Sequence, residues 1–374
     1  MRKTETYQLK RLWLLAPGIA ALLLTWAASA NPGLTEMWFS RGVYPWLSSA
    51  WGFLPSLAPW SVAQWVVVAF LAFCIGWLVF YTVALVRDAG GRRFVLWRAA
   101  ATMLAVVSVG YCLFALMCGL NYHRLTFAED AGFDLAPSST TELAALCEHL
   151  ADEMNDARAA IDDTPDDYAA ARGGFEAYAR EAVEDMRSLA ETYPALSRPL
   201  YSPPKPVLFS ELMSYADIAG MYFPFTVESN INADGPFFTI PATMGHELAH
   251  QCGFMREDEA NFIGYLSCKQ SDDPLTRYSG YTLAYDYALS ALIRADREAA
   301  VAVNDGLSDA VRADRTARAE YLKQFEGPVA EASNAANNAY LKANKQEDGT
   351  KSYGRMVDLL LAEAKQEQST APTA

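Results

Sequence analysis

The sequence predicts a helical membrane anchor followed by a mainly α, α+β domain with a small sheet beside one functional helix. Three observations carry that expectation. Long uncharged apolar runs are confined to the first 120 residues, and amphipathic periodicity fills most of the remainder. A single aromatic and β-branched stretch stands directly before a helix bearing two of the chain's four histidines.

The anchor comes first. No charge lies between Arg11 and Glu36, none from Gly42 to Val86, and none after Arg98 until His123 and Arg124. A span needs about 20 apolar residues, which predicts three helices near 11–31, 61–86 and 97–120. Residues 1–120 form the anchor and 121–374 the outer domain. Arg2, Lys3, Lys10 and Arg11 precede the first span, and Arg87, Arg92, Arg93 and Arg98 separate the second from the third. The positive-inside rule puts both clusters in the cytoplasm. The chain is then a multi-pass protein of the cell membrane with its C-terminal domain extracytoplasmic. The first span also reads as a signal peptide ending in "ASA" at Ala30, which leaves that sidedness unchanged.

Charge supports this division. The first 120 residues carry a net +6 and the rest −20, within an overall −14. The apolar basic end fits a lipid bilayer as partner, and the acidic remainder excludes nucleic acid, whose binding needs a cationic footprint. Of six cysteines, Cys147, Cys252 and Cys268 fall in the outer part. A Cys252–Cys268 disulfide and three unpaired buried thiols are both compatible with that number.

In the outer domain, "TELAALCEHLADEMNDARAAI" places Leu143, Leu146, Cys147, Leu150 and Met154 on one stripe, with Ser139 or Thr140 as cap. A second helix covers 164–193 with a weak point at Gly173–Gly174, and the proline-rich "YPALSRPLYSPPKPVLF" reads as a connector. "GMYFPFTVESNINADGPFFTIP" predicts a hairpin or two extended edges about "NADG". "PFFTIP" reads as an edge strand able to pair with substrate backbone, or as a core strand under the next helix. Helices return in 282–303, in 308–344 with a break at Gly327–Pro328, and in 353–366, before a fraying tail from Ala364.

The segment "TMGHELAHQCGFMREDEANF", residues 243–262, holds H-E-x-x-H at His246, Glu247 and His250. Residues four apart share a helix face about 6 Å apart along the axis, so both imidazoles can reach one ion. Glu247, turned by about 100° from His246, can touch a water on that ion without replacing a ligand. Pro241 or Thr243 can open the helix and Gly253 can end it in a left-handed conformation, freeing the chain to return a third ligand. Glu257 and Glu259 are the nearby candidates, and Glu259 shares a face with Phe262, Ile263 and Leu266, which should be buried.

At these residues the chain resembles the zincin metallopeptidases, in the branch whose third ligand is a glutamate on a following helix. That branch carries E-x-x-A-D or E-x-x-A-N, matched by Glu257, Ala260 and Asn261. The resemblance implies Zn2+ held by His246, His250 and Glu257, with Glu259 the alternative. It implies Glu247 as the catalytic base, Asn261 orienting a histidine, and a zincin-like fold. The wider layout, three spans followed by "GLNYHR", "YFPFTVESNIN", "GHELAHQCGFMREDEANFIGYL" and "SYGRMVDLLL", resembles a bacterial membrane-protein family of unassigned function.

The expected activity is therefore hydrolysis of a peptide or protein substrate outside the membrane, with zinc acidifying a water and Glu247 relaying its proton. Tyr353, Arg355, Tyr340 and His123 are available donors to the oxyanion. Two other readings share the sequence: a binding or sensory protein with a structural or inactive zinc site, and a zinc amidase acting on cell-wall material. Cys252 or another carboxylate closing the fourth position would favour the structural reading.

Overall fold

A computed structural model describes residues 12–88, 90–343 and 354–370. Arg2, Lys3, Lys10, Arg11 and Tyr353 lie outside the described residues. The described residues are mostly helical with one three-stranded sheet.

Among the described residues three helices are long and apolar enough to cross a membrane: Trp13–Ala30, Val62–Arg87 and Arg92–Met117. The first consists of a short 3-10 turn and helix α1 (Ala16–Ala30); the others are α3 (Val62–Arg87) and α4 (Arg92–Met117). The third helix starts five residues earlier than its apolar run, because Arg92 and Arg93 continue the helical backbone beyond the apolar stretch. It stops at Met117, where Cys118 leaves helical geometry with φ −149°. Between α1 and α3 the chain forms a π-helical segment, Thr35–Val43, and helix α2 (Tyr44–Ser56).

The helices beyond residue 120 follow the predicted stripes. Helix α5 (Thr140–Ala159) opens on a capping box between Ser139 and Glu142 and buries all five stripe residues. The second predicted helix is split at the glycine pair into Pro165–Ala171 and α6 (Gly174–Thr192). The connector is not wholly irregular. Its Lys205–Pro206 is strand β1, parallel to β3 (Glu228–Ile231), which pairs antiparallel with β2 (Gly220–Phe223). The strand order β1-β3-β2 leaves β2 on an edge.

The hairpin turns at Pro224–Val227 and not at "NADG", with Val227 in the left-handed region (φ +57°). "PFFTIP" is no strand: Phe237–Thr239 is a 3-10 turn leading into α7 (Ile240–Gln251). Helices α8 (Glu257–Lys269), α9 (Pro274–Ala295), α10 (Arg297–Asp305), α11 (Asp309–Lys323) and α12 (Pro328–Ala343) follow. The stretch expected as one helix over 282–303 breaks at Asp296, whose side chain caps the Ala299 amide. Helix α13 (Arg355–Thr370) runs into the expected tail as far as Thr370 and is tied down by Lys269, which pairs with Glu363 and Glu367.

The main core gathers α5 to α9 and α13 around Phe127, Phe254, Phe262 and Tyr278. A second cluster joins Tyr44, Met117 and Cys118 to Tyr222, Val227 and Met255, so buried contacts cross the boundary placed at residue 120. Glu228 strengthens that joint. Fully buried in β3, it pairs with Lys205 at 2.6 Å and accepts from the Val62 and Ala63 amides, capping the N-terminus of α3. Glu36 is gripped by Arg124 through two bonds of 2.7 and 2.9 Å. All six cysteines are free thiols.

Candidate metal centre

Helix α7 begins with Pro241 in its first turn, where the missing amide hydrogen costs nothing. It ends in a Schellman turn: Gly253 (φ +90°) donates to the His250 carbonyl and Phe254 to that of Ala249. The turn has a chemical consequence. It presents the Phe254 carbonyl 2.7 Å from His250 Nδ1, so Nε2 is the nitrogen turned toward the opening.

Helix α8 crosses close over α7. Gly245 and Gly264 meet at the crossing: a methyl built on Gly245 would lie 3.0 Å from Gly264 Cα. That close approach brings Glu257, the first residue of α8, to the histidine pair. Its carboxylate lies 3.3 Å from His246 Nε2 and 3.8 Å from His250 Nε2, and ligand atoms of all three fall within 4.8 Å of one another. One turn along α8, Asn261 Oδ1 lies 2.9 Å from His246 Nδ1, while its amide nitrogen donates to Tyr287 Oη at 3.2 Å. Asn261 thus offers His246 an acceptor and leaves Nε2 facing Glu257.

Glu259 goes elsewhere. Its carboxylate is buried, accepts from the Phe127 amide at 3.0 Å and lies 3.6 Å from Arg256. Of the two sequence candidates, only Glu257 joins the histidines. Cys252 does not close the group; it is buried beside Arg198 and Arg124.

The electrostatics follow from burial. Burial drives the Glu247 carboxyl up to about 8, aided by the Glu257 charge and opposed by His246 and a Tyr222 backbone bond. Glu247 Oε2 is buried without a hydrogen-bond partner. Burial also works against a charged His246, but the bond and charge of Glu257 prevail and raise it to about 9. His250 drops to about 4 through burial and the neighbouring His246 charge. Burial pushes Glu257 up, yet the two imidazoles outweigh it and hold its pKa below the ordinary 4.5. Two nitrogens and a carboxylate with their outer atoms already oriented form a donor set that could hold one metal ion.

Strand β2 walls the other side. The bond from the Asn232 amide to the Ala219 carbonyl sets the ladder so that Gly220 and Tyr222 turn their backbone groups outward, toward Glu247. Among the expected oxyanion donors, Tyr340 stands near Glu257 and receives a 3.1 Å bond from Tyr122 Oη. His123 is buried in the 3-10 turn after α4, and Arg355 begins α13 beside Asp358. Tyr122, Tyr222 and Tyr287 complete the surroundings. No spacing marked them, because each comes from a different element.

Fold and site together define a protein with three potential membrane helices and a two-histidine, one-glutamate cluster on crossed helices. Residues 39–361 match the model of the protein family of unknown function DUF3810, and the chain belongs to that family. No curated protein and no solved structure matches it.

Proposed function

We propose that this protein is a membrane-anchored zinc metallopeptidase with a zincin-like outer domain that hydrolyses peptide bonds on the extracytoplasmic side. One observation carries the reading: His246, His250 and Glu257 converge within 4.8 Å while Glu247 Oε2 is buried beside them without a partner. A structural clip has no use for that carboxyl, and no cysteine joins the three donors.

His246, His250 and Glu257 would hold the ion, which when bound acidifies water and polarises a carbonyl. Glu247 is the proton carrier. Its unpartnered Oε2 beside the histidine pair is placed to take a proton from water and return it to the leaving amine. Asn261 and the Phe254 carbonyl keep the imidazole tautomers fixed during that exchange. Tyr340, whose oxygen accepts from Tyr122, supplies a hydroxyl donor near the place where negative charge develops. The outer edge of β2, in place of "PFFTIP", offers backbone groups to an extended peptide. The basic clusters of the sequence support the outward orientation.

The test is zinc content and peptide-library cleavage of the purified full-length chain and its Glu247→Ala variant. The variant should retain zinc and lose hydrolysis; hydrolysis at the wild-type rate would reject the assignment.

A further inference from the structure

Helix α2 is amphipathic in the wrong sense for water. Its small and polar residues face the protein: Ser48 accepts from Arg198, Ser49 from the Leu200 amide, and Gly52 lies against Val227. Its apolar residues face out, with Trp46 69% and Leu54 74% exposed. The preceding π-helical segment repeats the pattern, burying Glu36 and Ser40 while Trp38 is 68% exposed. A second apolar outcrop projects from the outer domain at Leu208, Phe209 and Leu212. The Leu208 amide bonds Gln64 in the first turn of α3, which fixes this outcrop beside the outer end of a span.

An aqueous surface offers no compensation for such a face, whereas the headgroup–acyl boundary of a bilayer does. The exposed Trp60 and Trp65 line one cavity with Leu208 and join that outcrop to the surface of α3, and aromatic residues are enriched at the membrane boundary. The face of α2 also places the metal centre. Tyr44, on the inner side of α2, donates to the Gln251 carbonyl at 3.2 Å, one residue past His250. Tyr222, whose backbone meets Glu247, donates its hydroxyl to the carbonyl of Met117, the last residue of α4. Phe114 in the last turn of α4 packs edge-on against Tyr340. The cluster therefore stands within two side chains of the end of a span.

We propose that Thr35–Ser56 and Leu208–Leu212 form a seat embedded in the outer headgroup layer, and that the substrate is the membrane-adjacent stretch of a polypeptide held in the same bilayer. The seat is independent of the hydrolase reading; the substrate class rests on it. The full-length protein is reconstituted in phosphatidylcholine–phosphatidylglycerol vesicles containing a phospholipid with a photoactivatable diazirine on its acyl chain. Mass spectrometry should find label at Trp38, Trp46, Leu54 and Leu208–Leu212 as well as in the spans, and none on α5 or α10. Label confined to the three spans overturns the seat, as does a face shielded by a second copy of the chain. For the substrate, one peptide is compared free in solution and attached to a lipid through a short linker. Attachment should accelerate Glu247-dependent cleavage by about 10-fold or more through effective concentration. Equal rates overturn the substrate class while leaving the hydrolase intact. Loss of all Glu247-dependent cleavage removes hydrolase and substrate class together, with the seat still judged by its label.

Discussion

A methyl group at Gly264 should damage the candidate metal centre more than it damages the fold. Added there, it would meet the His246 amide nitrogen at 2.8 Å, the Ala242 carbonyl oxygen at 3.1 Å and Gly245 C at 3.3 Å. All three are backbone atoms of α7, so no side chain can swing away. Comfortable carbon contacts lie near 3.5–4.0 Å, so α8 must retreat by roughly 0.5–1 Å. Overpacking of this kind costs about 1–3 kcal/mol, while replacing a mid-helix glycine by alanine returns about 1 kcal/mol. The net loss of stability is about 0–2 kcal/mol, a few degrees of melting temperature at most for a chain of this size. The donor set is less forgiving, since ligand distances tolerate only about 0.2 Å. His246 and His250 ride on α7 and Glu257 on α8, so the retreat separates the ligands directly. Gly264→Ala should weaken zinc binding by about 10–100-fold, the range seen when support for a ligand is lost. Chelator competition on the detergent-purified protein reads the affinity, with Gly110→Ala as control because a methyl there meets nothing. Wild-type zinc affinity in folded Gly264→Ala would refute the idea that this crossing sets the ligand geometry.

Glu257→Ala should abolish tight zinc binding with little effect on melting. Glu259→Ala should do the reverse, leaving the Phe127 amide unpaired at a cost of about 1–3 kcal/mol; parallel metal titrations and thermal melts separate the two. Glu228→Ala leaves the Lys205 ammonium buried without its carboxylate and the Val62 and Ala63 amides without their acceptor, and should cost about 3–5 kcal/mol. A Glu228→Met/Lys205→Met pair should recover the share of that loss due to the unpaired ammonium in denaturant unfolding. Burial raises the Glu36 pKa, but the Arg124 and Arg41 bonds and charges outweigh it and hold the group below its ordinary 4.5. Its stabilisation is therefore complete above that value and fades as pH falls through the depressed folded value. Melting temperatures followed from about pH 5 downward should decline more steeply in wild type than in Glu36→Gln.

The three long apolar helices and the H-E-x-x-H segment were legible in the sequence because each depends on a local property. A run without charge needs no partner to be apolar, and the helical period alone places His246 and His250 on one face. The capping box at Ser139, the stripe of α5 and the left-handed stop at Gly253 are local in the same sense. Tertiary structure decided matters that turn on distant contacts. Glu257 and Glu259 stand two residues apart on α8, and only the Gly245–Gly264 crossing sends one to the histidines and the other to the Phe127 amide. "PFFTIP" has strand-like composition but turns into α7, while the edge strand β2 forms earlier by pairing with β3, whose Glu228 is drawn to Lys205 and the start of α3. The outward apolar face of α2 was hidden for the same reason. An amphipathic pattern in sequence gives two faces without saying which one meets protein, and that orientation depends on Arg198, Val227 and Gln251, more than 140 residues away.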